Sequence, residues 1–249
     1  MIKTLTTVEI VEVIRRSEHG MTEPFICRGD DDNIYFVKGI GAGRDSQIKE
    51  WVSGNLAIHF GIPVAPFKIV SVPEEILEAL PTDHAVALGA GPAFGSLEKR
   101  VTEITFSQVA EVPFEIRKRL LCFDWWIANG DRYLSEHGGN PNLFWEPDKR
   151  ELVVIDHNQT FDPEVTADTF FRYHIFQGAS SAIADDLVER QIYTDKMKLA
   201  LSHWDSIVAG LPDEWFYIDP EMTIELALST EALKTHLLRC LTDDFWDWK

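Results

Sequence analysis

Positive charge is scarce in this chain: 23 Lys and Arg stand against 41 Asp and Glu, a formal net charge of −18 over 249 residues. Nucleic-acid binding rests on Lys and Arg counter-charge, so the deficit argues against that class of partner. Any phosphate chemistry must then use local cations: a metal ion, a placed Lys or Arg, or backbone N–H groups. Cysteine is scarcer still. Cys27, Cys122 and Cys240 are odd in number, unrelated in spacing and each set in an apolar run. That pattern fits reduced core residues in a cytoplasmic protein and excludes a disulfide framework. Long apolar runs are missing too, so no membrane span is expected. Glu9 and Glu12 interrupt the N-terminal apolar residues, which leaves no signal-peptide core. There is no internal repeat or low-complexity tract. What the chain does have is 45% apolar residues and eight Trp, enough to build a globular core in one large domain or two small lobes.

The first third reads as strands. Residues 7–16 alternate apolar and polar, residues 17–24 are rich in turn formers, and residues 25–27 are apolar again. A Gly29-Asp30-Asp31-Asp32-Asn33 turn leads to a third strand that closes on Lys38, a residue able to reach nucleotide phosphates from a sheet. The Gly39-Ile40-Gly41-Ala42-Gly43 stretch precedes a helix expected from Asp45 as N-cap to Gly61, with Ile48, Trp51, Val52, Leu56 and Phe60 on its apolar face. Glu50 lies opposite, beside the small residues Ser53, Gly54 and Ala57; it either pairs with Lys38 or is a solvated surface acid. Strands are expected over residues 63–72 and 84–88. The second runs into Gly89-Ala90-Gly91-Pro92, the best boundary between lobes.

The remainder reads as mainly helical and is organised around residues 123–161. A buried helix over residues 114–128 should end at Asn129-Gly130, with Gly130 at positive φ, and deliver Asp131 into a loop. Apolar residues 143–145 and 152–155 flank a Glu146-Pro147-Asp148-Lys149-Arg150 turn, a hairpin signal. With five residues in the turn, Asp156 would face Asn140, and Asn142 would lie two residues further along. A carboxylate beside an amide oxygen suits a hard cation such as Mg²⁺. Asp131 could then orient or deprotonate a hydroxyl. Further helices are expected, one capped by Thr194 and one opened by Ser229 or Thr230.

Two competing readings are weaker. Gly39-x-Gly41-x-Gly43 sits between strand and helix, but Arg44 stands where a dinucleotide-binding motif needs its third glycine. His137, Asp156 and His157 with Asp131 could serve a zinc or iron hydrolase, but no paired histidines stand at helical spacing.

Asn129-Gly130-Asp131-Arg132, Gly139-Asn140-Pro141-Asn142-Leu143 and Val154-Ile155-Asp156-His157 resemble the HipA-like kinase family, bacterial relatives of serine/threonine kinases known as persistence toxins. Glu50-Trp51 ahead of Ala57 and Gly61-Ile62-Pro63 is similar to that family as well. The resemblance implies an α+β, two-lobed protein-kinase-like fold, with an antiparallel-sheet N-terminal lobe (residues 1–91) carrying one long helix and a mainly helical C-terminal lobe (residues 92–249). It implies an ATP- and Mg²⁺-dependent phosphotransferase acting on a hydroxyl, with Lys38 on the nucleotide phosphates, Glu50 holding Lys38, and Leu88, Gly89 and Ala90 in the adenine-contacting hinge. Asp131 would be the catalytic base, Asn142 and Asp156 the Mg²⁺ ligands, and a protein, including one of antitoxin type, the implied partner.

Three departures leave alternatives open. The metal-binding Asn of a kinase loop follows the catalytic Asp by five residues, whereas Asn142 follows Asp131 by eleven, so Asn140 competes as the ligand. Tyr133 replaces the basic residue expected two places after Asp131, leaving His137, Arg132 or nothing to supply that charge. The turn expected over the phosphates, residues 17–22, holds one glycine and an acid, with Ser17 and Thr22 as candidate autophosphorylation sites. These departures keep a catalytically weak nucleotide-binding scaffold as the alternative, with the metal-dependent hydrolase third.

Overall fold

The computed structural model describes residues 7–17, 23–135, 137–149 and 151–248. It is an α+β architecture of two compact units, one sheet-rich and one mainly helical. The first unit comprises Met1–Trp51, Ala65–Lys99 and Leu211–Ala227. Its strands are β1 (Val8–Arg16), β2 (Phe25–Gly29), β3 (Ile34–Lys38), β4 (Phe67–Val72) and β5 (Gly91–Leu97). They close into a barrel in the order β1-β2-β3-β5-β4. Alternation supplies the core: Val8, Ile10, Phe25, Cys27, Tyr35, Val37, Val70, Val72 and Ala93 are all buried in one cluster. The pairs follow the expected antiparallel pattern except the one that closes the barrel, where β1 runs parallel to β4 with Val8 opposite Val70. A parallel neighbour requires a long crossover. Closure removes both free edges of the sheet.

Helix α1 (Arg44–Phe60) follows β3. The glycine stretch before it forms a single 3-10 turn that lies against helix α3 (Thr82–Leu88), which follows the short α2 (Glu74–Leu77). A Cβ at Gly39 would sit 2.1 Å from the Leu88 carbonyl oxygen, and Gly43 has φ +89°. The strand expected over residues 84–88 is therefore this helix. Pro81 precedes its first turn, Asp83 complements the N-terminal dipole, and the alanines favour helix over strand. Leu88 is buried while Val86 is 70% exposed, one-sided burial that the apolar run alone concealed. Trp215, fully buried, anchors Leu211–Ala227 within this unit: its indole N–H donates to the Pro92 carbonyl at 2.9 Å.

The second unit comprises Val52–Val64, Arg100–Gly210 and Leu228–Lys249. At its centre, helix α4 (Phe114–Trp126) buries every residue from Leu120 to Trp126. The indoles of Trp125 and Trp126 donate to the carbonyls of Phe245 and Leu237 at 3.1 and 2.8 Å. The helix stops two residues earlier than expected, and Ala128, not Gly130, takes positive φ (+48°), with the Asn129 N–H donating to the Asp124 carbonyl. Gly130 is instead needed for close packing, since a Cβ there would meet Val165 at 2.9 Å.

Strands β6 (Thr102–Glu103), β9 (Leu143–Glu146) and β10 (Glu151–Val154) form one sheet, and β7 (Tyr133–Ser135) with β8 (Gly138–Asn140) forms a separate hairpin. Helices α5 (Ala167–Tyr173), α6 (Ser181–Ala184), α7 (Leu187–Leu201), α8 (Trp204–Val208) and α9 (Thr230–Leu238) complete the unit. Asp186 caps α7, so Thr194 lies inside that helix and not at its start; Ser229 caps α9 as expected. All three cysteines are free and buried. No helix among the described residues is long and apolar enough to cross a membrane.

Candidate active site

The β9–β10 hairpin places the acids and amides at its open end. Glu146 pairs with Glu151 and Leu143 with Val154, so the turn is one residue shorter than the five expected. The register moves by one in consequence. The Ile155 N–H donates to the Asn142 carbonyl at 3.1 Å, and Asp156 is the next residue along. Asn142 and Asp156 both sit in the left-handed region, at φ +48° and +56°, a conformation that Asn and Asp tolerate better than most residues. Two such residues flanking one hairpin mouth are the kind of local strain that collects at functional sites.

Asp131 lies in the loop after α4. Its Oδ2 accepts three side-chain amides: Asn140 at 2.8 Å, Asn142 at 3.1 Å and Gln159 at 3.3 Å. Burial raises the Asp131 carboxyl above its usual value, the amides of Asn140 and Asn142 pull it down, and the charge of Asp156 adds to the rise; the net shift is upward. A carboxylate held by fixed donors and made more basic than usual suits proton abstraction. Gln159 was missed by sequence reasoning, because nothing in its spacing marks it.

Arg132 does not supply a phosphate-facing charge. It is 1% exposed and ion-paired to Asp124, Nε to Oδ2 at 2.8 Å. Its Nη1 donates to the carbonyls of both Pro141 and Asn142 at 3.0 Å. Burial pushes the Asp124 carboxyl up, but Arg132 and His174 outweigh it and hold it below the ordinary carboxylate range. Tyr133 and His137 are exposed on the β7–β8 hairpin.

In the first unit, Lys38 closes β3 and its Nζ meets Glu50 Oε1 of α1 at 2.5 Å. The two residues are 8% and 3% exposed, so the solvated reading of Glu50 is overturned. The Lys38 carbonyl is fixed by Gln47 Nε2 at 2.7 Å, and Arg44 Nη1 in turn holds Gln47 Oε1 at 2.9 Å. Leu88, Gly89 and Ala90 join α3 to β5 and do not leave a strand, and the Leu88 side chain belongs to the barrel core. The strand exit lies instead after Leu97. Of the turn over residues 17–22, Ser17 donates its N–H to the Pro24 carbonyl at 2.8 Å; residues 18–22, including Thr22, lie outside the described residues.

Asn142 and Asp156 offer an amide and a carboxylate oxygen, with Asp131 as a neighbouring carboxylate, a hard all-oxygen set that fits Mg²⁺ completed by phosphate and water. Among the described residues no three His, Cys, Asp or Glu converge as a metal site, which is what the zinc or iron hydrolase reading requires.

The chain matches the family described as HipA-like kinase over residues 10–249. Among solved structures it is similar to that of the Helicobacter pylori proinflammatory kinase CtkA, at 10% identity, with 96% of each chain covered and a TM-score of 0.44. No curated protein matches.

Proposed function

This chain belongs to the HipA-like kinase family, and we propose that it transfers the γ-phosphoryl group of ATP to a hydroxyl on a protein. The observation that carries this reading is the convergence of Asn140, Asn142 and Gln159 on one oxygen of Asp131, beside the Asn142–Asp156 hairpin mouth. Asp131 takes the proton of the attacking hydroxyl. The hydroxyl oxygen bonds to the γ-phosphorus as the bond to the β-phosphate oxygen breaks, and ADP leaves. Asn142 and Asp156 would hold Mg²⁺, which supplies charge neutralisation on the phosphates. Lys38, oriented by Glu50, contacts the nucleotide phosphates. The adenine meets the chain leaving β5, from Glu98 onward, in place of residues 88–90, because in this chain the connector after a barrel strand begins there.

The test is incubation with γ-radiolabelled ATP and Mg²⁺ and a protein acceptor mixture. Wild type should label protein, and Asp131→Asn should lower labelling by about a hundredfold or more. Labelling that survives Asp131→Asn refutes the role of Asp131. A second reading, a nucleotide-binding scaffold, is favoured by the exposed β7–β8 hairpin between Asp131 and Asn142, and by Tyr133 where a basic residue is expected. Nucleotide binding by calorimetry without any labelling would select it.

A further inference from the structure

The hairpin between Asp131 and Asn142 poses a physical problem. Ten residues separate the candidate base from the candidate metal ligand, and among them is a short exposed ladder, Tyr133 with Asn140, Leu134 with Gly139 and Ser135 with Gly138. The ladder ends at its base, because the next position is Pro141, which has no N–H to donate. Arg132 and Pro141 thus face each other just where pairing stops. At that point the Arg132 guanidinium takes over, accepting no bond itself but donating Nη1–H to the Pro141 and Asn142 carbonyls and Nε–H to Asp124 on α4.

Asp124 is anchored from three sides. Arg132 and His174 Nε2 meet its Oδ2 at 2.8 and 3.0 Å, and Asn129 Nδ2 meets its Oδ1 at 3.0 Å. His174 Nδ1 accepts the Phe176 backbone N–H, so its proton resides on Nε2 and is donated to the carboxylate. Asp124, Asn129, Arg132 and His174 are all at least nine-tenths buried. The Arg132 carbonyl is itself held by the Ile175 N–H at 3.1 Å.

We propose that Arg132 and Asp124 are positioning residues for phosphoryl transfer: they staple the base of the β7–β8 hairpin to α4 and so fix the spacing of Asp131 and Asn142 against the length of the insertion. The inference rests on the phosphoryl-transfer reading above. Buried ion pairs are poor stabilisers compared with apolar packing of the same volume. An ion pair with both side chains fully buried, spending two further donors on the carbonyls flanking the candidate metal ligand, is explained by geometry it imposes and not by stability it adds.

Arg132→Lys keeps the charge but offers its donors from a single nitrogen, and so lacks the planar fork that reaches Asp124 from Nε and the Pro141 and Asn142 carbonyls from Nη1. It should lower kcat by between about tenfold and a hundredfold, raise the Mg²⁺ concentration giving half-maximal rate, and leave the KM for ATP at saturating Mg²⁺ within about twofold. Hydrogen–deuterium exchange should rise in peptides spanning residues 131–142 and stay unchanged in the first unit. The paired variant Asp124→Leu with Arg132→Met removes both buried charges and retains the volume; because it leaves the His174 and Asn129 donors and the Pro141 and Asn142 carbonyls without these partners, it should fold with a lower urea midpoint than wild type and show the same loss of kcat. Normal kcat in the folded paired variant, or unchanged exchange over residues 131–142 in Arg132→Lys, overturns the positioning role. Wild type that transfers no phosphate, with a loop still loosened by Arg132→Lys, overturns the phosphoryl-transfer reading alone.

Discussion

The Lys38–Glu50 pair separates stability from function in a measurable way. At 2.5 Å and an effective dielectric of about 20, the attraction is roughly 6–7 kcal/mol. Taking each ion out of water costs several kcal/mol, so the intact pair adds little to stability. Removing one member is a different matter. Glu50→Ala leaves the Lys38 ammonium buried without that carboxylate, which should cost about 3–5 kcal/mol, a large share of the roughly 5–15 kcal/mol that holds a domain folded. Lys38→Met combined with Glu50→Leu removes both charges and should return stability to near the wild-type value, while phosphoryl transfer stays abolished in both variants. Urea unfolding followed by tryptophan fluorescence reads the difference. With a slope of about 1–3 kcal/mol per molar urea, Glu50→Ala should lower the midpoint by at least about 1 M. A midpoint for Glu50→Ala close to wild type, or a paired variant as unstable as the single one, would refute the account of a buried pair kept for chemistry.

Asn142→Ala and Asn142→Gly should both lose Mg²⁺-dependent transfer, but glycine accepts the φ of +48° without penalty. The alanine variant should therefore be less stable by about 1 kcal/mol, a Tm lower by roughly 2–4 °C in scanning calorimetry; equal Tm values would count against strain there. Asn140→Ala, at an exposed position, should leave the Mg²⁺ requirement near wild type. His236 has its pKa lowered to about 4 by burial and the nearby Arg239 charge. Since the unfolded residue protonates near 6.5, stability is full above that pH and drains away as pH falls toward 4, by on the order of 3 kcal/mol. Urea midpoints against pH should show this slope, and His236→Phe should flatten it; an unchanged slope rules His236 out as the source. Gly39→Ala drives a methyl into the Leu88 carbonyl and should cost about 1–3 kcal/mol, visible as a lower Tm; a neutral result would mean α3 can shift freely.

Strands β1 to β4 were legible because alternation is a local signal: Val8, Ile10, Phe25, Cys27, Tyr35 and Val37 mark the inward face along the chain; β5 was not, because Gly91-Pro92 at its start reads as a connector. The parallel closure of β1 on β4 was not, since pairing across a crossover leaves no trace in either strand. Residues 84–88 misled because a short apolar run suits strand and helix alike, and what argues for the helix is Pro81 and Asp83 upstream together with Ala85 and Ala87 within. At the site, Asp131, Asn142 and Asp156 stood out as polar residues at element ends, and the Lys38–Glu50 contact was one of two readings that a strand end and a helix face left open. The register error came from counting Glu146 as turn when it still pairs with Glu151. Asp124 carried an unused signal: an acid inside the all-buried run from Leu120 to Trp126 needs a cationic partner. His174 and Gln159 could not be found, because their roles exist only through long-range contacts.

The assignment of Leu211–Ala227 to the first unit has a consequence for synthesis. A barrel built from residues before Lys99 would ordinarily finish folding soon after it leaves the ribosome. Here the fully buried Trp215, which donates to Pro92, is translated only after most of the second unit. At about 5–20 residues per second, the gap between Lys99 and Ala227 leaves the surface meant for that indole uncovered for roughly 6–25 s. Nascent chains stalled before residue 211 should therefore be cut more readily by protease within β5 than the released protein.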